Sequence, residues 1–267
     1  MPSRLHIRQI THAKTDVRSM RISIITATYN SAATIRDTVL SVKAQSYESV
    51  EHIIIDGGST DGTLDILKEY QHIGRISSEP DRGMYDAMNK GIGMANGDVI
   101  GILNSDDFYA GPKVLEKVSE AFASTEIDAV YGDLDYVDAT DANLLVRSWR
   151  SGRYVQDAFK WGWMPPHPTF FVRKEIYEKY GGFNLNMGTA ADYELMLRFI
   201  HRQGIRMAYL PEVLVKMRSG GASNASLTAR LKANQNDHKA WKENDLEPYW
   251  FTLYLKPLRK ISQFLVR

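Results

Sequence analysis

The chain has 267 residues, enough for one large α/β domain or two small ones. A composition 43% hydrophobic and 24% charged, with a formal net charge of +1, fits a soluble globular protein and gives no electrostatic ground for nucleic-acid binding. Cysteine is absent, which excludes disulfides, thiolate metal sites and thiol nucleophiles.

No apolar run approaches the ~20 residues of a spanning helix, and the amino-terminal stretch lacks the apolar core of a secretory signal. A cytoplasmic protein is therefore the expectation. Residues 1–20 are polar and mildly basic without a sustained period and read as a flexible leader, with Met20 an alternative start.

Arg21 to Thr28 is rich in β-branched residues and reads as a first strand. Asn30 or Ser31 is placed to cap a helix with apolar positions Ile35, Val39 and Val42. A second strand, Val50 to Ile55, runs into Asp56-Gly57-Gly58-Ser59-Thr60-Asp61, which supplies turn glycines and caps for a helix from Leu64 to Tyr70. Arg75 to Ser78 is a short third strand, followed by Glu79-Pro80-Asp81-Arg82-Gly83 and a helix with Met84, Ala87, Met88, Gly91 and Ile92 on one face. The apolar run Val99 to Leu103 is a fourth strand that ends in Asn104-Ser105-Asp106-Asp107. Strands alternating with helices in this way predict a parallel, doubly wound sheet. Ligands of such sheets bind beyond the carboxyl ends of the strands. Paired carboxylates delivered there suit a hard cation with its phosphates; a solvated turn that caps a helix is the plainer alternative.

Val114, Leu115, Val118 and Phe122 mark the next helix, followed by a strand from Ala129 to Tyr131 and an acidic patch of Asp133, Asp135 and Asp138. Leu144 to Trp149 is a further strand, a candidate antiparallel partner. The stretch from Phe159 to Pro168 is too rich in aromatics and proline for regular structure, and reads either as packing or as a wall of an acceptor pocket. Thr169 to Val172 is a strand, and Lys174 to Tyr180 a helix stopped by Gly181-Gly182. Asp192 falls in the first turn of the following helix, where the macrodipole favours a negative charge. It suits either a general base or a helix cap. Ile205 to Leu210 and Val213 to Met217 are the last strands. Asn224-Ala225-Ser226 fits a glycosylation sequon, discounted for want of a secretory signal.

Ile22 to Asn30, Asp56-Gly57-Gly58-Ser59-Thr60-Asp61, Asn104-Ser105-Asp106-Asp107 and Ala191-Asp192-Tyr193-Glu194-Leu195, in that order, resemble glycosyltransferase family 2. The resemblance covers about Arg21 to Ser223. It implies a GT-A fold, α/β with a Rossmann-like, mostly parallel central sheet flanked by helices, and an inverting transfer from a nucleoside-diphosphate sugar. Residues 21–223 would form that domain and 224–267 a helical segment. By the same resemblance Asp107 would bind Mn²⁺ or Mg²⁺ and Asp106 the sugar nucleotide. Thr28, Tyr29 and Asp56 would line the nucleoside pocket, and Asp192 would deprotonate the acceptor. Glu79 to Gly91, with Asp81 and Asn89, resembles the donor-side segment of members that assemble surface polysaccharide, which makes a lipid-linked saccharide the expected acceptor. Two departures stand out: Gly57 replaces a second aspartate that often touches a uracil, and Ala191 replaces a glutamate before the base.

The expected chemistry is an in-line displacement in which a metal neutralises the diphosphate and Asp192 takes the hydroxyl proton. A sugar nucleotidyltransferase is the nearest alternative, but the loop Thr26-Ala27-Thr28-Tyr29-Asn30 is not the glycine-rich phosphate loop it would carry. A non-catalytic nucleotide- or glycan-binding subunit is another alternative, and retention of Asp107 and Asp192 argues against it. His167 is a reserve base. The segment 248–267 interleaves aromatic and apolar residues with Lys256, Arg259, Lys260 and Arg267, and carries no acidic residue. From Pro257 onward Leu258, Ile261 and Leu265 share a helical face. The segment suits either an anionic membrane surface, placing the protein peripherally on the cytoplasmic face of an inner membrane, or docking on the domain.

Overall fold

A computed structural model describes residues 20–220 and 227–263. The leader up to residue 19, the sequon at 224–226 and Leu265 lie outside the described residues. In chain order come β1 (Ile22–Thr28), α1 (Ile35–Lys43), β2 (Val50–Asp56), α2 (Thr63–Lys68), β3 (Arg75–Ser78), α3 (Met84–Met94) and β4 (Val99–Ile102). Then follow β5 (Phe108–Tyr109), α4 (Val114–Ala121), β6 (Ala129–Val137), β7 (Leu145–Trp149), β8 (Phe171–Arg173), α5 (Lys174–Tyr180), α6 (Ala191–Met196), β9 (Met207–Arg218), α7 (Leu227–Glu243) and α8 (Thr252–Ser262).

The strands form one mixed sheet in the order β3-β2-β1-β4-β8-β6-β9-β5, with β7 beside β6. The first four are parallel, as the alternation of strands and helices predicts; β8 then pairs antiparallel with both β4 and β6. Both faces are covered, which is why the strands are apolar on both sides. Ile22 and Ile24 of β1 pack with α1 and α4 residues such as Val42 and Leu115, whereas Ile25 joins Ile53, Ile55, Met88 and the α6 residues on the other face.

Local departures from the sequence reading have physical causes. Neither Asn30 nor Ser31 caps α1: the N-cap is Thr34, without a side-chain bond. Asn30 instead lies at φ 49 and is engaged with the loop after β2. The strand expected at Thr169 to Val172 starts later, because His167–Thr169 forms a 3₁₀ turn. The two last strands are one, β9; opposite it the register jumps from Tyr131↔Tyr209 to Asp133↔Val213, a bulge that takes up Pro211. The acidic patch is largely structural. Asp133 and Asp135 lie within β6, accepting from Ser151 N and Tyr209 Oη and from Ser148 Oγ respectively. In the aromatic stretch Phe159 and Trp163 are core residues, while Trp161 is exposed against Tyr249 and Phe251.

The last helices are fastened to the domain. Trp241 of α7 is buried and its Nε1 donates to Tyr193 Oη at 2.9 Å. The helix α8 begins at Thr252, earlier than the Pro257 start read from sequence, and Thr252 Oγ1 donates to Lys160 O at 2.6 Å. No helix among the described residues is long and apolar enough to cross a membrane.

Candidate active site

The carboxyl ends of β3, β2, β1 and β4 align along one edge of the sheet. Thr28 is in register with Asp56, Asp56 with Ser78, and Ile25 with Ile102. The loops after all four strands emerge there, where open α/β sheets bind ligands.

Asp56 is buried and its carboxylate is spent on the loop it starts. Oδ2 accepts from Gly58 N (3.1 Å), Ser59 N (2.9 Å) and Ser78 Oγ (2.6 Å), and Oδ1 accepts from Ser59 Oγ. It shapes the edge rather than presenting a free acceptor. The Asn30 side chain accepts from Thr60 N at 2.9 Å and locks the adjacent loop, leaving the Tyr29 ring 65% exposed beside Gly57. Thr28 is buried at the strand end with an Oγ1 that has no partner among the described residues. Asp81 pairs with Lys90, Nζ to Oδ1, at 2.5 Å. Asn89 is occupied elsewhere: its Nδ2 donates to Phe183 O at 2.9 Å and its Oδ1 accepts from Phe183 N at 2.8 Å, clamping α3 to that loop.

Asp106 and Asp107 sit differently. Asp107 is fully buried: Oδ2 accepts from Asn104 Nδ2 at 2.9 Å, and Oδ1 has no partner among the described residues. Burial first, and then the charge of Asp106, push the Asp107 carboxyl well above the usual range, while Asn104 and Arg218 pull it down. Asp106 is half-buried, so it alone of the pair has solvent access. The loop is tied to its neighbours by Thr38 Oγ1 donating to Asp107 O (2.7 Å) and by the Ser31–Ser105 hydroxyl contact (2.9 Å). Among the described residues no group of three or more carboxylates and imidazoles is poised for a metal. A hard cation that also binds phosphates needs only one or two carboxylates. An unpartnered buried carboxylate oxygen beside a second carboxylate fits such an ion.

Asp192 lies in the first turn of α6, half-buried. Its Oδ1 accepts from Tyr193 N at 2.8 Å, from within the helix; the N-cap is Ala190. The helix continues into a π turn over Leu197–Arg202, a feature frequent at functional sites. Tyr85 of α3 lies against Asp192: burial and then the Asp192 charge raise its hydroxyl pKa. Burial lowers the pKa of His167, with Asp192 acting in the opposite direction. Glu194 does not take the place of a glutamate at Ala191, because it is buried in a pair with Arg198 (2.9 Å) and accepts from Asn244 Nδ2 (3.1 Å).

Tyr136 of β6, which the sequence did not single out, is buried deeply enough to feel charges from both carboxylate sites. Burial raises its hydroxyl pKa, Arg147 opposes that, and the charges of both Asp107 and Asp192 raise it further. The Arg147 guanidinium stands 3.6 Å over the Tyr136 ring. The charges of Asp107 and Asp192 thus both act on one tyrosine hydroxyl. No local pattern in the sequence marks Tyr136.

Residues 23–181 match the family model described as Glycosyl transferase family 2. An uncharacterized glycosyltransferase of Mycobacterium tuberculosis is 34% identical over 186 residues, covering 66% of this chain and 68% of that protein. A PGL/p-HBAD biosynthesis glycosyltransferase of Mycobacterium bovis is 30% identical over 212 residues, 76% of this chain and 78% of its relative. Among solved structures, S. aureus TarS 1-349 in complex with UDP-GlcNAc superposes with a TM-score of 0.66 at 18% identity, over 91% of this chain and 73% of that one. This chain covers 43% of the longer S. aureus TarS chain. The mannosyltransferase PcManGT of Pyrobaculum calidifontis, in complex with GDP-Man and Mn²⁺, gives 0.63 at 19% identity, over 93% and 70%. At such identities the likeness is one of fold: a mixed, curled sheet between helices, of the GT-A kind.

Proposed function

The chain belongs to glycosyl transferase family 2 and is a glycosyltransferase; from that premise we propose an inverting transfer from a nucleoside-diphosphate sugar to a saccharide hydroxyl, with Asp192 as general base. The observation that carries this reading is the carboxylate pair just beyond β4, at the aligned strand ends that also present Thr28 and Asp56, where Asp107 Oδ1 has no partner among the described residues. A one-step displacement also needs a base, and Asp192, half-buried in the first turn of α6, is the candidate.

The acceptor oxygen attacks the anomeric carbon as Asp192 takes its proton. The bond from that carbon to the diphosphate oxygen breaks, and the diphosphate leaves with the electron pair. Mn²⁺ or Mg²⁺ held at Asp107 would neutralise charge on the diphosphate, with Asp106 beside it toward the sugar nucleotide, a reading that the Mn²⁺ in the PcManGT complex supports. Thr28, Tyr29 and Asp81 bind the nucleoside side, with Asp56 and Asn89 holding their loops. Ordering donor and acceptor in one cleft supplies the rest.

The acceptor in this reading is a lipid-linked saccharide in polysaccharide assembly, met on the cytoplasmic face of the inner membrane. The surface of the last two helices supports it. Trp250 (85% exposed), Tyr254 and Leu258 recur every four residues and form an exposed stripe beside Tyr249 and Trp161. Lys160 lies 5.5 Å from the Tyr249 ring centre, and Lys242 and Arg259 are exposed nearby in the chain. Aromatic and basic side chains together suit a membrane interface.

The test is incubation with nucleoside-diphosphate sugars and Mn²⁺, with assay of released nucleoside diphosphate and of the product's anomeric configuration. Inversion is expected. A product of retained configuration, or release of pyrophosphate in place of a nucleoside diphosphate, would point to another reaction.

A further inference from the structure

Gly57 is a glycine for reasons of space. Its φ is not among the positive values found for Gly58, Gly62 and Gly83, so its backbone would accept any residue. A β-carbon there would lie 3.3 Å from Asp81 Oδ2, 3.4 Å from Tyr29 Cδ2 and 3.6 Å from Tyr29 Cβ. The Asp81 carboxylate, reaching over from the loop after β3, fills the place that a side chain at position 57 would take.

Asp81 is held there firmly. Lys90 Nζ pairs with its Oδ1 at 2.5 Å and with Glu79 Oε1 at 2.8 Å, and it reaches Pro80 O at 3.5 Å. That uses the three donors of the ammonium. The pairings raise the Lys90 pKa, led by the hydrogen bond to Asp81, so the cation stays charged beside Asp81. The Asp81 side chain is 8% exposed, and the oxygen turned to Gly57 is Oδ2 rather than the one Lys90 holds.

A half-open slot results: an aromatic face at Tyr29, a floor without a side chain at Gly57, and an acceptor-only carboxylate oxygen at Asp81. Flat heterocycles stack on such rings, and an ionised carboxylate accepts hydrogen bonds but donates none. We propose that Asp81, acting across Gly57, is the base-reading residue of the donor site and selects nucleobases that carry a ring N–H. This rests on the nucleoside-diphosphate-sugar reading above and adds its base specificity. Uracil, thymine and guanine present a ring N–H on their pairing edge; cytosine and adenine present a lone pair there, which would meet the carboxylate lone pair. The donor is therefore a uridine, deoxythymidine or guanosine diphosphate sugar.

The experiment measures binding of UDP, GDP and CDP with Mn²⁺ by calorimetry to the full chain and three variants, each checked for folding by ligand-free thermal unfolding. The unaltered protein is expected to bind UDP or GDP at least tenfold tighter than CDP. Asp81→Ala should lower that preference about tenfold, the size of one hydrogen bond to a charged group, with CDP little affected. Gly57→Asp alone should weaken the preferred nucleotide, because the new side chain crowds Asp81. Combining Gly57→Asp with Asp81→Ala should recover most of the preference, since the carboxylate returns to the same space from the other loop. If Asp81→Ala leaves the base ratio unchanged, or if the double variant is as poor as the product of the singles, this assignment is wrong while the transferase reading stands. If the unaltered protein binds no nucleoside diphosphate, both fall.

Discussion

Arg218, the last residue of β9, donates from Nη1 to the carbonyl oxygen of Asp106 at 2.8 Å. The same guanidinium pairs with Asp37 of α1 and stands 5.1 Å from the Phe108 ring centre. One side chain thus ties the end of the sheet, the first helix and the carboxylate loop together. Its charge and hydrogen bond also draw the Asp107 carboxyl down. Arg218→Ala is expected to destabilise the fold by about 1–3 kcal/mol, as loss of a hydrogen bond from a charged group does, and to weaken Mn²⁺-dependent donor binding. Urea unfolding and calorimetry read the two effects. A variant with unchanged metal dependence would remove Arg218 from the site.

Asp107 should couple metal to pH. Its folded pKa is raised above the ordinary 3.8, burial being the largest cause. From 3.8 up to the raised value the folded state holds the proton that the unfolded state has released, so stability falls as pH rises through that window. A divalent cation beside the ionised carboxylate offsets this cost. Mn²⁺ should therefore raise Tm more at pH 8 than at pH 5. Asp107→Asn should lose most of that difference without lowering Tm in chelator at pH 8. An equal Mn²⁺ shift in the variant would contradict the assignment.

His52 predicts acid sensitivity away from the site. It is buried in β2, with Nε2 3.1 Å from Thr26 Oγ1 and Nδ1 without a hydrogen-bond partner among the described residues. Burial, then the neighbouring His72, bring its pKa from 6.5 down to about 3. Between those values the unfolded chain binds the proton and the folded chain does not. Stability is thus full above pH 6.5 and falls as pH drops toward 3, by at most about 1.4 kcal/mol per unit. His52→Gln, which can keep the Thr26 contact, should flatten the fall between pH 7 and 5 in urea titrations. An identical fall in the variant would assign the acid sensitivity to other groups.

The exposed stripe predicts membrane contact. Truncation before α8 is a poor test, because Leu253 packs on the core and Lys256 pairs with Asp237 at 2.6 Å. The triple substitution Trp250→Ser, Tyr254→Ser and Leu258→Ser changes only exposed side chains. Full-length protein should co-sediment with anionic liposomes at low salt, and the triple variant should remain in the supernatant with an unchanged Tm. Equal sedimentation of the two, or none by the parent, would leave the stripe without a membrane role.

The parallel half of the fold was legible because burial on both faces forces near-continuous apolar strands such as Ile53-Ile54-Ile55, and turn chemistry punctuates them. The candidate residues at strand ends were legible for the same reason. What the sequence hid depends on contacts between distant segments. The two-residue β5 exists only by pairing with β9, and β9 survives Pro211 only because a bulge takes it up. Asn89 looked like a donor contact, yet its amide is consumed by Phe183. Tyr136 and Arg218 carry no local pattern, since their relevance comes from reaching Asp107, Asp192 and Asp106 across the sheet.

The central claim is that Asp192 removes the acceptor proton in a cleft shared with the Asp106–Asp107 pair. It is tested most directly by comparing donor binding with turnover in Asp192→Asn, an isosteric change on a half-buried residue. Calorimetry with the donor and Mn²⁺ should give an unchanged Kd. Release of nucleoside diphosphate, to saccharide or to water, should drop by two or more orders of magnitude, about the contribution of a general base. Turnover within a few-fold of the parent at equal donor affinity would contradict the account.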